Sequence, residues 1–134
     1  MKKYLLDTGI LIGLLNGRND CTRYFDELLD TQIHFSVINQ AEILSGVKVR
    51  NNQKQLDVLT HLFGLYTVIP IDSAISQITS DLYVSLRKNG KIGEKITPDL
   101  YIASTCIYHD LILVTYNKKD FVHVPTLILE GLIW

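Results

Sequence analysis

Short apolar runs that alternate with helix-length amphipathic segments constrain the fold of this chain more than any other feature. An apolar run of three to five residues indicates a buried strand, and the second run also alternates apolar with polar residues. Five runs are predicted as strands: Tyr4 to Leu6, Ile33 to Val37, Thr67 to Ile69, Leu111 to Thr115 and Thr126 to Leu129.

The segments between these runs carry apolar residues at helical spacing and clear boundary signals. Asn16-Gly17 predicts the end of the first helix, because both residues tolerate the left-handed cap conformation. Thr97 followed by Pro98 predicts a helix start. Six helices are predicted. The first begins at Asp7-Thr8, and the next three span Asp20 to Leu29, Asn39 to Val47 and Gln53 to Leu65. The fifth begins at Asp72 or Ser73, and the sixth spans Pro98 to about His109.

Strands separated by helices need crossover connections, which favour parallel pairing with helices on both faces of the sheet. The sequence therefore predicts a three-layer α/β/α sandwich with a mainly parallel central sheet. A length of 134 residues suits one domain that spans residues 1–134.

Composition narrows the class of protein further. A hydrophobic share of 47% with 20% charged residues is typical of a globular chain with a sizeable core. The net charge of −1 disfavours a broad basic surface for nucleic acid, but it permits an enzyme that holds nucleic acid through metal ions and a few cations. Cys21 and Cys106 form no paired motif, which favours a reduced, cytoplasmic protein. No apolar run is long enough for a bilayer, so no membrane partner is expected.

Four acidic residues stand near the predicted carboxyl ends of strands, where the ligand crevice of such sheets lies. They are Asp7, Glu42, Asp99 and Asp120. Four carboxylates gathered there would repel one another unless a cation neutralised them. Carboxylate oxygens suit Mg²⁺ or Mn²⁺ rather than zinc, and the histidines and cysteines lack zinc-ligand spacing.

Each acid also has a purely structural interpretation. Asp7 is a suitable helix cap, and Asn39 with Glu42 is a candidate capping box, although Glu42 is predicted on the inward side of its helix. Asp120 lies in a turn, where Asp is common for local reasons. Asp99 shares the apolar stripe of its helix, and a carboxylate on a buried face needs a partner, so the functional interpretation leads there.

Four segments in this order resemble the PIN-domain nucleases, and specifically the VapC-type toxins of toxin–antitoxin pairs. The segments are Tyr4 to Thr8, Asn39 to Gly46, Asp99 to Ser104 and Leu113 to Phe121, and the resemblance covers nearly the whole chain. It implies an endoribonuclease that depends on Mg²⁺ or Mn²⁺. The implied metal-site and catalytic residues are Asp7, Glu42 and Asp99, with Asp120 as a less uniformly essential fourth acid.

The resemblance also implies partners and supporting residues. Thr115 and Asn117 match polar positions beside the fourth acid. Members of the family typically dimerise and are silenced by a cognate antitoxin that occupies the active-site groove. Two departures stand out: Gly9 replaces the Asn or Ser often found there, which is expected to lower activity, and segment 93–98 is unlike the commonest pattern, which is expected to shift substrate preference.

The mechanistic hypothesis is metal-assisted hydrolysis. Metal held by Asp7 and Asp99, with Glu42 and Asp120 acting directly or through water, would polarise the scissile phosphate and lower the pKa of a bound water.

Other side chains are candidates for support and for substrate contact. Thr8 and Thr115 would orient ligands or water, or would only make capping and strand-end hydrogen bonds. The candidates for contacts with flanking phosphates are Arg87, Lys88, Lys91, Lys95, Lys118 and Lys119.

The sequence lacks residues that two other classes of α/β protein require. A phosphatase of the haloacid dehalogenase type needs a second Asp two residues after the first, where this chain has Gly9. A receiver domain needs a pair of acids around the end of its first strand. The alternative from another class is a non-catalytic binding module that keeps the PIN fold for partner assembly, which Gly9 favours and the intact carboxylate set opposes.

Overall fold

The computed structural model of the chain describes residues 1–132 and contains one five-stranded sheet in which every pair is parallel. Its strands are β1 Tyr4–Leu6, β2 Ile33–Ser36, β3 Thr67–Ile69, β4 Ile112–Thr115 and β5 Leu129–Gly131. Their spatial order is β3-β2-β1-β4-β5. The chain moves outward from β1 on one side and then crosses to the other side, so the switch point that favours a ligand crevice lies at β1.

The α-helices connect these strands and lie on both faces of the sheet. They are α1 Thr8–Leu15, α2 Asn19–Asp26, α3 Val37–Val49, α4 Gln53–Leu65, α5 Ser73–Lys88 and α6 Pro98–His109. Single 3₁₀ turns occupy Asp30–Gln32 and Lys118–Asp120. No helix within residues 1–132 is both long enough and apolar enough to span a membrane.

Adjacent strand residues point to opposite faces of the sheet, and each face has its own hydrophobic core. Leu5 and Leu113 pack with buried side chains of α5 and α6 on one face. Leu6 and Val114 pack with buried side chains of α1 to α4 on the other face. The predicted three-layer α/β arrangement with a parallel sheet is therefore confirmed.

Most predicted elements are observed, and the errors lie at element boundaries. The strands β1 and β3 and the helix α4 have the predicted bounds, whereas α2 ends at Asp26 rather than Leu29. The second strand ends at Ser36, because Val37 already belongs to α3. The last strand was predicted at Thr126 to Leu129 and lies instead at Leu129–Gly131; Thr126 has a φ of +66°, which an extended strand does not allow.

Gly13 allows α1 and α2 to approach each other closely. It is buried, and a Cβ atom added there would collide with Sγ of Cys21 on α2. Gly64 on α4 has no atom within 4 Å of the same hypothetical position. One helical glycine is thus required by packing and the other is not.

We expect Gly13→Ala to lower the free energy of unfolding by about 1–3 kcal/mol, the usual cost of overpacking a core. Gly64→Ala is the matched control, and it should raise the same quantity by up to about 1 kcal/mol, because Ala favours a helix over Gly. Urea denaturation measures both. Equal effects of the two substitutions would contradict the packing explanation, and Cys21→Ala should recover part of the loss when combined with Gly13→Ala.

Candidate metal centre and active site

The site forms where β1, β2 and β4 end at the same edge of the sheet. Tyr4, Leu5 and Leu6 of β1 pair with Ile112, Leu113 and Val114 of β4. The backbone N–H of Asp7 continues this ladder by donating to the carbonyl of Val114 at 3.0 Å. Residue 7 is thereby placed beside the end of β4 and beside the start of α3.

Asp7 is the most constrained carboxylate of the site, with only 8% of its surface exposed. Its Oδ1 accepts from the backbone N–H of Thr8 at 2.9 Å and from Nδ2 of Asn39 at 3.3 Å, and its Oδ2 accepts from Oγ1 of Thr115 at 2.8 Å. Burial raises the pKa of Asp7, while these three donors oppose the rise. Asp7 therefore caps α1, as the structural interpretation predicted, and also presents a fixed carboxylate at the sheet edge.

Thr8 connects the first strand to Glu42 on α3. Its hydroxyl donates to Oε1 of Glu42 at 2.8 Å and accepts from Nδ2 of Asn39 at 3.0 Å. A hydroxyl that both donates and accepts holds its two partners in a fixed relation. The contact brings Glu42 to the same edge as Asp7.

The predicted capping box of Asn39 with Glu42 is wrong. Ser36 caps α3 instead: its Oγ accepts from the backbone N–H of Asn39 at 3.1 Å, and its own N–H donates to Oδ1 of Asn39 at 3.3 Å. Glu42 is also exposed rather than inward-facing. Because Ser36 supplies the cap, the carboxylate of Glu42 is available to the site.

Asp99 lies in the first turn of α6 and is half-buried. Its pKa is raised to about 6, first by burial and then by the negative charges of Asp7, Asp120 and Glu42. Within residues 1–132 no protein group donates a hydrogen bond to it. Acids that are far apart in the sequence thus act electrostatically on this one carboxylate.

Asp120 is exposed and ends the 3₁₀ turn after β4. Its charge raises the pKa of Asp7 as well as that of Asp99. The four acids proposed from the sequence are therefore within electrostatic reach of one another. The backbone N–H of Asn117 donates to Oγ1 of Thr115 at 3.0 Å, whereas a role for the Asn117 side chain stays a prediction.

The donor chemistry of this site fits a hard divalent cation. The side chains at this edge offer carboxylate and hydroxyl oxygens, and Mg²⁺ typically uses one or two carboxylates and keeps several waters. No group of three or more His, Cys, Asp and Glu side chains in residues 1–132 has the arrangement of a ready-made ligand set. The carboxylate of Asp99 accepts no hydrogen bond from residues 1–132, and burial and its acidic neighbours destabilise it as an anion, so a nearby cation is expected to stabilise it.

Sequence reasoning missed the role of Asn39. This side chain is fully buried, and its amide donates to both Asp7 and Thr8 while its carbonyl accepts from Ser36. Its interpretation as a helix cap describes only part of its contacts. A polar residue at the third position of a helix that follows a buried strand was the available signal.

Tyr116 occupies the space beside Gly9. A Cβ atom added to Gly9 would lie 3.5 Å from Cδ2 of Tyr116, an ordinary van der Waals distance. The Tyr116 hydroxyl donates to Asp20 at 3.1 Å and accepts from Nε of Arg18 at 3.0 Å, and the Arg18 guanidinium lies 5.1 Å from the centre of the ring. An aromatic side chain anchored to α2 therefore lies beside Gly9, a position at which the sequence was expected to depart from the family pattern.

Comparison with known proteins identifies the family. A model of the PIN domain matches residues 4–127. Ribonuclease VapC2 of Rickettsia felis is 34% identical over 135 residues, which cover 96% of both chains. Ribonuclease VapC1 of Methanocaldococcus jannaschii is 32% identical over 119 residues, which cover 89% of this chain and 79% of the relative.

Solved structures agree with this result. A chain in the crystal structure of VapBC2 from Rickettsia felis, bound to a DNA fragment from the promoter, matches with a TM-score of 0.80 and 31% identity over 96% of this chain and 98% of that one. DNA-bound VapBC from Salmonella typhimurium gives a TM-score of 0.85 at 23% identity, with 98% of both chains covered, which is a likeness of fold.

The chain therefore belongs to the PIN-domain family, and identities above 30% over most of its length place it among the VapC-type ribonucleases. The family resemblance, the fold class and the identification as a ribonuclease are thus confirmed. The individual roles of the site residues stay predictions.

The raised pKa of Asp99 predicts how pH affects the stability of the metal-free protein. The folded-state pKa of about 6 lies above that of an unfolded aspartate, about 3.9. The folded state therefore binds this proton more tightly. The stability that Asp99 contributes is fully present below about pH 4 and is lost as the pH rises through 6.

We expect Asp99→Asn, measured in EDTA, to melt at a higher temperature than the wild type at pH 7 and to lose most of that advantage near pH 4. Calorimetric or fluorescence melting across this range measures the difference. Asp81→Asn is the control, because Asp81 is an exposed residue of α5 and is not one of the four acids of the site. An advantage of Asp99→Asn that does not change with pH would contradict the electrostatic explanation.

Proposed function

We propose that this chain cleaves RNA as an endoribonuclease that depends on Mg²⁺ or Mn²⁺, and that Asp7, Glu42, Asp99 and Asp120 form its catalytic and metal-binding site. The observation that carries the proposal is that acids from separate parts of the chain meet at one edge of the sheet: Thr8, next to Asp7, holds Glu42, and Asp7, Asp120 and Glu42 add to the effect of burial in raising the pKa of Asp99. Mutually repelling carboxylates lower the stability of a fold. A bound cation would neutralise this repulsion, so the cluster is best explained as a metal-binding site.

The acidic side chains of the site differ in how firmly hydrogen bonds hold them. Asp7 is held by three donors, so its carboxylate cannot rotate without breaking hydrogen bonds. Thr8 orients Glu42. Asp99 and Asp120 accept no hydrogen bond from residues 1–132 and can adjust to a bound cation and to the substrate.

A bound Mg²⁺ or Mn²⁺ would supply Lewis-acid polarisation of the scissile phosphate and a lower pKa for the attacking water. Proton and cation compete for Asp99, because a carboxylate must be ionised to bind metal. With a pKa of about 6 in the metal-free protein, Asp99 is partly protonated below neutral pH. Metal affinity should therefore fall as the pH drops from 7 to 5.

The partners and setting of the protein are part of the same proposal. Related solved structures include the VapBC2 complex of Rickettsia felis and a toxin–antitoxin complex from Klebsiella pneumoniae, the latter 28% identical with a TM-score of 0.72. We infer that this chain is the toxin of such a pair, with a cognate antitoxin in the active-site groove. Homodimerisation, cytoplasmic location and a single domain over residues 1–134 complete the proposal.

The second candidate is a non-catalytic module that keeps the fold for partner assembly. Gly9 favours it, because a polar side chain common in related sites is missing. However, the position beside Gly9 is filled by Tyr116, and the carboxylates themselves are all present. Catalysis remains the better explanation.

We expect Asp7→Asn and Asp99→Asn each to reduce cleavage of RNA by on the order of a hundredfold or more, because each removes a negative ligand from the site. Wild-type activity should need added Mn²⁺ or Mg²⁺ and disappear in EDTA. Gel analysis of labelled total RNA measures cleavage, and circular dichroism confirms that the variants fold. Asp81→Asn should retain activity.

A second measurement separates catalysis from the alternative. Mn²⁺ should raise the melting temperature of the wild type, because a ligand that binds only the folded state stabilises it. The shift should disappear in Asp99→Asn. Full activity in either site variant, or an equal shift in Asp99→Asn, would reject the assignment of the acids.

A further inference from the structure

A cavity of about 420 Å³ opens directly beside the acidic site. It lies between the loop that follows α5 and the turn that follows β4, and we call it the lateral cavity. Asp99 and Asp120 form part of its wall. Its size is within the range of pockets that hold small ligands, about 300–1,000 Å³. A substrate bound at the four acids therefore has space to extend into the lateral cavity.

Together with Thr97 and apolar residues, three basic side chains are among the other residues that line the lateral cavity. They are Lys91 on the α5 side and Lys119 and His123 on the β4 side. The cavity thus joins a negative end, which suits cations, to a wall that carries two ammonium groups and an imidazole. This pairing of charges fits a polyanion that is bound through a cation at one phosphate and directly at the next.

The backbone that carries Lys91 is fixed by the end of α5. Gly90 adopts a φ of +69°, its N–H donates to the carbonyl of Arg87 at 3.0 Å, and the N–H of Lys91 donates to the carbonyl of Leu86 at 2.8 Å. This pair of hydrogen bonds is a Schellman motif, which ends a helix in a defined geometry. Lys91 therefore leaves a rigid helix end rather than a free loop.

The opposite wall is fixed by two buried side chains. Phe121 is 1% exposed and Val124 is 7% exposed, and they bracket His123 in the sequence. The backbone N–H of Phe121 donates to Lys118 and that of Val124 donates to Phe121, both at 3.0 Å. Burial of these residues holds Lys119 and His123 at the cavity.

Other basic residues suggested by the sequence do not line the lateral cavity. Arg87 donates to the Tyr83 hydroxyl at 2.8 Å and pairs with Glu94 at 3.6 Å. The aliphatic part of Lys118 lies over β5, where a Cβ atom added to Gly131 would be 3.1 Å from its Cδ. Lys95 is exposed and outside the cavity wall.

We propose that Lys91, Lys119 and His123 form a substrate subsite for the ribonucleotide next to the cleaved phosphodiester bond. The proposal rests on the ribonuclease function and adds to it. When RNA binds at the four carboxylates, its neighbouring phosphates are repelled by them. The protein has a net charge of −1 and therefore no general positive field that would offset this repulsion. The two lysines neutralise the adjoining phosphate, and His123 contacts the nucleotide that follows it into the cavity.

The test is the affinity of the full chain for a fluorescein-labelled, mixed-sequence single-stranded RNA, with Ca²⁺ in place of Mg²⁺ to prevent cleavage. Fluorescence anisotropy at several salt concentrations gives Kd and its salt dependence. Lys91→Ala and Lys119→Ala should each weaken binding on the order of fivefold. The variant that combines them should lower the slope of log Kd against log salt by about 0.7, the value for one phosphate contact on a single strand. His123→Ala should weaken binding by a similar factor.

Neighbouring residues supply matched controls. Lys118→Ala adjoins Lys119, Lys95→Ala lies in the same loop as Lys91, and Val122→Ala adjoins His123 at a position that is 66% exposed. These variants should keep the wild-type Kd and salt slope. A loss in Lys118→Ala equal to that in Lys119→Ala would overturn the proposal, because it would show a diffuse surface effect. All variants should have the melting temperature of the wild type, since none removes a core side chain.

Cleavage kinetics distinguish failure of the subsite from failure of the proposed function. With Mn²⁺, the double variant Lys91→Ala with Lys119→Ala should raise KM and keep kcat, because the lysines bind the strand away from the reacting atoms. If the wild type cleaves RNA and the double variant has the same KM, the subsite is rejected and the nuclease function stands. Lysine-dependent binding without wild-type cleavage would reject the nuclease and leave the subsite.

Discussion

The buried carboxylate of Asp7 is the constraint on which the rest of the site depends. An anion in the centre of a parallel sheet is costly unless donors surround it. The fold supplies these from three directions: the helix that Asp7 caps, Thr115 at the end of β4 and Asn39 at the start of α3. Asn39 is also hydrogen-bonded to Thr8 and Ser36. The hydrogen bonds around this one carboxylate therefore connect the ends of β1, β2 and β4.

Strand register explains why those donors arrive together. Leu6 pairs with Val114, so Asp7 and Thr115 follow as neighbours, and the pairing of Leu5 with His34 places the end of β2 at the same level. A slip by one residue would turn Thr115 to the opposite face and remove the donor to Oδ2 of Asp7. The two hydrophobic cores, one on each face, hold this register. Packing that appears unrelated to function thus fixes the geometry of the acids.

The site combines one rigid carboxylate with others that remain adaptable. Burial and the charges of its neighbours raise the pKa of Asp99, so this carboxylate is sensitive both to a bound cation and to pH. In the lateral cavity, the lysines offset the repulsion between these acids and a bound polyanion. The fold tolerates local repulsion at the sheet edge because Asp7 is fully hydrogen-bonded and the cores lie below it.

Periodicity, capping and residue order are local properties of the chain, so the strand and helix pattern, the parallel sheet, the four acids and their family resemblance could be predicted from the sequence. The positions of β5 and of the cap of α3 could not, because the φ of Thr126 and the choice of Ser36 over Asn39 depend on contacts that local propensity does not encode. The folded structure was needed to show that Asn39 links Asp7 to Thr8, that Tyr116 stands beside Gly9, and that Lys91 and Lys119 line one cavity while Lys118 does not. These contacts join residues far apart in the chain, and their distances are set by how the helices pack on the sheet.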